Sequence, residues 1–325
     1  MIELNKTEIK FKDKLYGRAD ELEKLADFYS AMSSVDSSLM LVKGVSGMGK
    51  STLIQQFAFR LMDEKVYFIR GKQDLSKNNQ PYTTIIQAFN QLIDEWLQDT
   101  DENRRKIIEV LKQRLGSHNK IILKAFPRLS YLFGHDDVPS DSPHLTFKDR
   151  FNEALLSFTN ALSYLDQRII IFLDDLQWAD RSTIRFLELW LSEGKASNLF
   201  WIGAYRDDEV VGGSWLSDQG LLKNTYEDNV AFIKLNGLSL DVIREMCSDV
   251  INMKEERTIE FSELVLQLTG GNPLFIRESL PFLLEDNVLY FDTNRGEWNY
   301  DVSRIRAFDK SSRTLEFIIR KMEAL

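Results

Sequence analysis

The chain has 325 residues, 43% of them hydrophobic and 28% charged, with a formal net charge of −9. That length admits one large domain and a smaller one. The acidic balance works against a sequence-independent grip on nucleic acid, which needs a basic surface, and no apolar run approaches the ~18 residues of a membrane span.

The opening stretch MIELNKTEIKFKDKL is charged from its third residue and lacks the apolar core of a signal peptide, so the cytoplasm is the expected compartment. The first buried strand is expected at 39–43, LMLVK, followed at once by GVSGMGKST. This fits G-x-x-x-x-G-K-[S/T] through Gly44, Gly49, Lys50 and Ser51. Glycines let such a loop turn its backbone N–H groups inward onto β- and γ-phosphates, the lysine reaches their oxygens, and the serine hydroxyl ligates Mg²⁺. The expected phosphate cradle is therefore Gly44, Val45, Ser46, Gly47, Met48, Gly49, Lys50, Ser51 and Thr52, with Lys50 also catalytic. A helix follows, with Leu53, Ile54, Phe57, Ala58 and Leu61 on one face.

A second strand is expected at 66–70, with GKQDL and QPYTTI beyond it; there Lys72, Asp74 and Tyr82 either shape the site or bind a neighbour. The helix after it buries Ile85, Ile86, Phe89, Leu92, Ile93 and Trp96. GHDDVPSDSPH, 134–144, is expected as an exposed loop, and its His135 and His144 lack a third ligand for a metal. The run IIIFL, 169–173, ends in two carboxylates: Asp174 is the expected Mg²⁺ ligand, and Asp175 the group that orients or deprotonates an attacking water. In DLQWADRST, Asp180 is placed to cap the next helix. After strand 199–204 comes YRDD, where Arg206 is the candidate sensor of the γ-phosphate, the alternative being a salt bridge to Asp207 or Asp208.

With a fifth strand at 230–235, short apolar strands alternating with helices predict a parallel sheet with helices on its faces. Past LNGLS the pattern is helical, 239–250, 256–268 and 273–284, with a hairpin at 288–300 turning at TNRG. Cys247, the single cysteine, sits on an apolar helix face as core filling and excludes an intrachain disulfide or a cysteine metal cluster. In SSRTLEFIIRKMEAL, Leu315, Ile318, Ile319, Met322 and Leu325 share a face with no evident partner, so a longer parent protein is expected. The division is then 1–235, a P-loop α/β nucleotide-binding domain, and 236–325, a smaller helical domain with a hairpin.

LYGRADELEKL, GVSGMGKST, GKQDLSKNNQPYTTIIQAF, FLDDLQWAD, IGAYRDDEV and GGNPLF, taken in that order, resemble the ATPase module of the STAND class of signalling ATPases, within the AAA+-like P-loop enzymes. The likeness runs from about Leu15 onward, and is greatest to the module of large bacterial sensor proteins, between a Ser/Thr kinase-like domain and histidine-kinase domains; related modules occur in ATP-dependent transcriptional regulators. It implies an AAA+-like P-loop NTPase sheet, a helical lid and the start of a truncated winged-helix region. It also implies that Tyr16, Gly17 and Arg18 lie near the adenine and that Pro273 packs on the base or ribose. Read from the residues alone, YGR is a loop before a helix and Pro273 a proline suited to a helix's first turn. Self-association in the ATP state is implied too, with Arg128, Arg181 and Arg185 as candidate arginine fingers. The chain has no kinase catalytic loop and no phosphoacceptor-histidine region, so the activities of full-length relatives are not assigned to it.

The expected function is an ATPase signalling switch, using ATP/ADP and Mg²⁺, that couples nucleotide state to lid movement and self-association inside a larger regulatory protein. Its expected partners are other domains of a longer chain and a nucleotide-dependent homo-oligomer, with neither membrane nor nucleic acid engaged through this region. The alternatives are an ADP-holding protein-interaction scaffold with negligible turnover, a DNA-acting ATPase of the origin-recognition type, and a small-molecule kinase, for which no acceptor pocket is evident.

Overall fold

Strands buried on both faces must be apolar throughout, and the chain supplies them where the pattern predicts. The computed structural model describes residues 9, 11–31, 37–61, 66–73, 81–133, 147–210, 216, 229–251 and 253–308. In order the elements are α1 (Ala19–Ala31), β1 (Leu39–Lys43), α2 (Lys50–Arg60), β2 (Val66–Lys72), α3 (Thr83–Gln98), α4 (Asp101–Leu115), α5 (Asn119–Ala125), α6 (Leu129–Phe133), α7 (Phe147–Leu162), β3 (Arg168–Asp174), α8 (Arg181–Glu193), β4 (Leu199–Tyr205) and β5 (Val230–Lys234). There follow α9 (Leu240–Val250), α10 (Glu255–Thr269), α11 (Pro273–Glu285), β6 (Leu289–Asp292), β7 (Glu297–Tyr300) and α12 (Val302–Phe308). Loop 134–144 with its two histidines, Asp74 and the apolar face of 311–325 lie outside the described residues.

Two compact units emerge. One consists of Asp20–Lys43 and Ile54–Lys234; the other takes in the described parts of Met1–Ala19, Gly44–Leu53 and Leu235–Leu325. The first holds a five-stranded sheet in the order β2-β3-β4-β1-β5, and every pair in it is parallel. From β1 the chain crosses to the far edge, returns through β3 and β4, and sets β5 outside β1. The order therefore reverses at β1, the kind of point where open α/β sheets bind ligands beyond the carboxyl ends of their strands. Every residue of β4, and every residue of β3 after Arg168, is buried. This is the parallel sheet with flanking helices, followed by a helical region, that the sequence predicts.

The helices of this unit pack aromatic rings against the sheet. Phe89 of α3 sets its ring edge-on to Phe158 of α7 at 5.3 Å and to Trp201 of β4 at 6.1 Å. Truncating a fully buried aromatic of this kind to alanine costs about 3–5 kcal/mol. In one respect the expected boundaries are corrected: Gly71 and Lys72 belong to β2, not to a segment beyond it. Lys72 stands in register with Asp174, and its N–H donates to Gln87 Oε1 of α3 at 3.0 Å, which holds the strand extended for two more residues. A side chain at Gly71 would place its Cβ 1.9 Å from the Thr84 carbonyl oxygen, so only glycine lets α3 approach this closely.

In the second unit α9, α10 and α11 enclose a core of Ile243, Met246, Cys247, Phe261, Ile276 and Leu280, to which the hairpin adds Trp298 and Tyr300 and the N-terminal segment adds Tyr16. Cys247 is core filling, and burial pushes its thiol up to about 11. α10 ends on Gly270 in the left-handed conformation, and α11 starts one residue after its cap, Asn272. Among the described residues no helix is long and apolar enough to cross a membrane.

Candidate functional site

The phosphate loop, Gly44 to Gly49, is the chain between β1 and the first residue of α2, Lys50. Three glycines give it positive φ angles: Gly44 at 156°, Gly47 at 79° and Gly49 at 85°. At Gly47 a second constraint acts, since a Cβ there would stand 2.7 Å from Asn272 Oδ1 and 2.9 Å from Leu274 Cβ. Lys50 is 8% exposed; its ammonium donates to the carbonyls of Gly44 at 2.6 Å and Val45 at 3.0 Å, closing the loop on itself. Ser51 is half-buried and Thr52 exposed at the start of the helix.

This loop is tied into the helical region at two places. Asn272, 4% exposed, donates from Nδ2 to the Ser46 carbonyl at 2.8 Å, while its Oδ1 caps α11 by accepting from Leu274 N at 3.0 Å and Phe275 N at 3.4 Å. Leu274 N also donates to the Gly47 carbonyl at 3.3 Å. One asparagine therefore satisfies the helix's first amide groups and holds the phosphate loop's main chain together with them. Pro273 occupies the first turn of α11, where its missing N–H costs nothing. The second tie is Arg18, 6% exposed, whose Nη2 donates to the carbonyls of Asn236 at 2.7 Å and Met48 at 3.4 Å.

The residues just before Arg18 are fastened to α9. Tyr16 donates its hydroxyl to Asp249 at 3.0 Å, and Lys12 and Lys14 pair with the same carboxylate, Lys14 at 2.7 Å and also with Glu245 at 2.6 Å. The lysine hydrogen bonds, Lys12's first, hold the Asp249 carboxyl well below the usual range; burial, then the bond to Asp249, pushes the Tyr16 phenol up to about 12. Gly17 bends the segment with φ 60°. YGR thus has a structural role as a strap, which its sequence alone did not announce.

In the other unit, β3 ends on the two expected carboxylates. Asp174 is 4% exposed; one oxygen accepts from Asp175 N at 3.1 Å and the other from Arg70 Nη2 at 2.5 Å. Asp175 is 7% exposed and stands in the left-handed conformation, φ 58° and ψ 43°. Aspartate tolerates that region better than most residues, yet the conformation still costs on the order of 1 kcal/mol, and such strain concentrates at functional sites. Gln177 donates to Asp175 Oδ1 at 3.1 Å, and its own amide oxygen accepts from Arg206 N at 3.1 Å, so the end of β4 fixes the orientation of Asp175 through one side chain. Lys72 and Arg206 bring positive charge to within 3.7 and 3.8 Å of Asp175.

Arg206 does not pair with Asp207 or Asp208. Its guanidinium binds Glu209 at 2.8 Å and lies over the Trp178 ring at 5.0 Å, because the turn after β4 brings Glu209 back toward it, while Asp207 pairs with Lys234 at 3.9 Å. Asp180 does cap α8, accepting from Ser182 N and Thr183 N, and it also accepts from Tyr82 N at 3.1 Å. Tyr82 is a packing residue, edge-on to Phe151 at 4.5 Å. Of the candidate arginine fingers, Arg128 pairs with Asp94 at 2.5 Å, Arg185 approaches Glu188 at 3.8 Å along its own helix, and Arg181 is exposed at the start of α8. Sequence reasoning missed Asn272, Gln177 and Arg70. For Asn272 a signal existed, an asparagine before a helix-starting proline; the other two gave none.

The chain is similar to two curated histidine kinases. Hybrid signal transduction histidine kinase G of Dictyostelium discoideum is 24% identical over an alignment of 376 residues, covering 96% of this chain and 11% of that protein. A peroxide stress-activated histidine kinase of Schizosaccharomyces pombe is 20% identical over 317 residues, covering 83% and 13%. The chain thus spans about a tenth of the length of each. Among solved structures, a Walker-type ATPase of Pyrococcus abyssi superposes with a TM-score of 0.49 at 16% identity, covering 98% of this chain and 80% of that one. Drosophila ORC bound to DNA gives 0.45 at 12%, covering 85% and 57%. Residues 14–202, more than half the chain and including the phosphate loop, Asp174 at the end of β3 and Asp175 directly after it, match the family described as the AAA ATPase domain. With a phosphate loop after β1, paired carboxylates ending β3 and a parallel sheet carrying both, the chain belongs to the AAA ATPase domain family.

Proposed function

We propose that the chain is an ATP-hydrolysing signalling switch of the STAND type, working inside a larger regulatory protein. The observation that carries this reading is the Asn272 bridge: a single buried side chain caps α11 and holds the carbonyl of Ser46, so a change in the loop's main chain is felt at the N-terminus of the helix. A ligand shifts a conformational equilibrium only through unequal affinity for its states. ATP and ADP differ in their contacts with a loop of this kind, and Asn272 gives that difference a route into the helical region.

In this reading Gly44 to Thr52 cradle the phosphates and Lys50 turns from its own loop's carbonyls to the β- and γ-oxygens. The donor chemistry suits Mg²⁺, since the Ser51 hydroxyl and the Asp174 carboxylate are hard oxygen ligands. They would hold the ion, which when bound neutralises charge on the transferring phosphoryl group. Asp175 orients or deprotonates the attacking water, with Gln177 setting its direction. Arg206 senses the γ-phosphate, and Tyr16, Gly17, Arg18 and Pro273 serve the base and ribose. The region 236–325 acts as the lid, other domains of a longer chain and further copies of this one are the partners, and no nucleic acid binds through this region.

A second reading, the scaffold that holds ADP with negligible turnover, draws support from the surroundings of Asp175. Each of its oxygens already faces a cation, Lys72 at 3.7 Å and Arg206 at 3.8 Å, so both compete with an attacking water for the carboxylate. Steady-state ATP hydrolysis measured across protein concentration, for the chain and for Asp175→Asn, decides between them. The switch reading expects turnover per molecule that rises with concentration and is lost in the variant. Equal rates in the two proteins would remove Asp175 from the mechanism, and no turnover with ADP recovered from the denatured protein would establish the scaffold.

A further inference from the structure

We propose that Arg70 sets the divalent-cation affinity of the site by competing with the ion for Asp174; the inference rests on the nucleotide reading above. Arg70 stands in register with Phe172 on the neighbouring strand, so its side chain rises on the face shared by Phe172 and, two residues on, Asp174. Its guanidinium passes over the Phe172 ring at 5.3 Å and ends 2.5 Å from Asp174 Oδ2. The strand position is fixed from outside as well: Gln91 of α3 accepts from Arg70 N at 2.9 Å and donates to Arg70 O at 2.7 Å, closing an otherwise open sheet edge. The cation is therefore built into the sheet and aimed at the metal carboxylate.

Two features make it a competitor that can be displaced. The pair is one-pronged: Nη2 alone meets the carboxylate, whereas arginine binds carboxylates most strongly through two parallel N–H groups. Its Nε is buried and has no hydrogen-bond partner among the described residues, so the guanidinium is held in an incompletely satisfied position. The other oxygen of Asp174 already accepts from Asp175 N. A divalent ion that draws on Asp174, directly or through water, accordingly competes with Arg70 for that carboxylate, and a released Arg70 side chain, already 31% exposed, gains solvent. Without the ion, Arg70 keeps a buried carboxylate from standing as an uncompensated charge.

The test is a titration of Mn²⁺, as a spectroscopic stand-in for Mg²⁺, into the chain saturated with a non-hydrolysable ATP analogue, with free Mn²⁺ read by electron paramagnetic resonance. Arg70→Gln is expected to bind Mn²⁺ at least tenfold more tightly than the unmodified chain, and Arg70→Lys to shift it less. Should Arg70→Gln fail to fold, Arg70→Met keeps the unbranched stem over Phe172 and removes the charge, with the same expected gain. Unchanged or weaker Mn²⁺ binding in a folded variant that still binds the analogue overturns the competition and makes Arg70 a support for Asp174. Failure of the unmodified chain to bind the analogue at all overturns the nucleotide reading itself, and this inference with it.

Discussion

Asn272 performs two tasks that substitution can separate. Asn272→Ala removes the cap of α11, a loss of about 0.5–2 kcal/mol, together with the bond to Ser46 O, about 0.5–1.5 kcal/mol net. The residue is 4% exposed, so water does not readily replace either partner, and the expected destabilisation is about 1–3 kcal/mol. Asn272→Asp keeps an acceptor for Leu274 N and Phe275 N, and aspartate caps as well as asparagine. It replaces the Nδ2 donor, however, with a carboxylate oxygen facing the Ser46 carbonyl. The cap is thereby kept and the link to the phosphate loop cut, at a cost of about 1–3 kcal/mol, because a buried carboxylate then faces an unpaired carbonyl oxygen. Urea unfolding measures the first effect. The second is read from the melting temperatures with ATP analogue and with ADP, which differ in the unmodified chain and converge in Asn272→Asp. If Asn272→Asp retained both the stability and the full difference between nucleotides, the bridge would carry no information and the reasoning would fail.

Gly47→Ala forces a Cβ onto φ 79° and to within 2.7 Å of Asn272 Oδ1, so it should cost at least about 1–2 kcal/mol and sharply weaken ATP binding, as calorimetric titration would show. Lys50→Ala should abolish ATP binding in the same titration, whereas Asp174→Ala should remove its dependence on Mg²⁺. Asp180→Ala strips the cap of α8 and leaves Tyr82 N without its acceptor, a loss of about 1–3 kcal/mol by urea unfolding; Asp180→Asn keeps the cap through its one oxygen but turns an amide donor toward Tyr82 N, so it restores only the capping share. The strap of residues 11–16 is expected to depend on pH at both ends. Asp249 has a lowered carboxyl pKa, so its contribution is complete above the ordinary value of 3.8 and is lost as pH falls below it. Tyr16, raised to about 12, contributes fully below 10.0 and loses its part as pH rises through 12. Protection factors of the strap's amides, taken against the intrinsic exchange rate at each pH, should fall below about pH 4 in the unmodified chain, and Asp249→Asn should show the reduced protection at neutral pH already.

Much of the fold was legible because buried parallel strands carry an unbroken apolar signal: LMLVK, IIIFL and LFWIGA each lie within a strand the structure contains. The end of β2 was not, because Gly71 and Lys72 look like a turn until Thr84 and Gln87 of α3 are placed beside them. At the candidate site the motif residues could be read, since a phosphate loop and a strand-ending acid pair have fixed local spacing. Their supports could not. Arg70, Gln177 and Asn272 meet their partners 104, 29 and 226 positions away along the chain, and no local pattern records such pairings. Arg206 shows the intermediate case: its place after β4 was predictable, but its choice of Glu209 over the adjacent aspartates depends on how the turn folds back.

The central claim is that nucleotide state reaches the helical region through the phosphate loop. Its most direct test is amide hydrogen exchange at Leu274 and Phe275, the two N–H groups capped by Asn272, with ATP analogue bound and with ADP bound. Protection that differs between the two nucleotides, and no longer differs in Asn272→Asp, is the predicted result. Identical protection in both nucleotide states of the unmodified chain would contradict the claim.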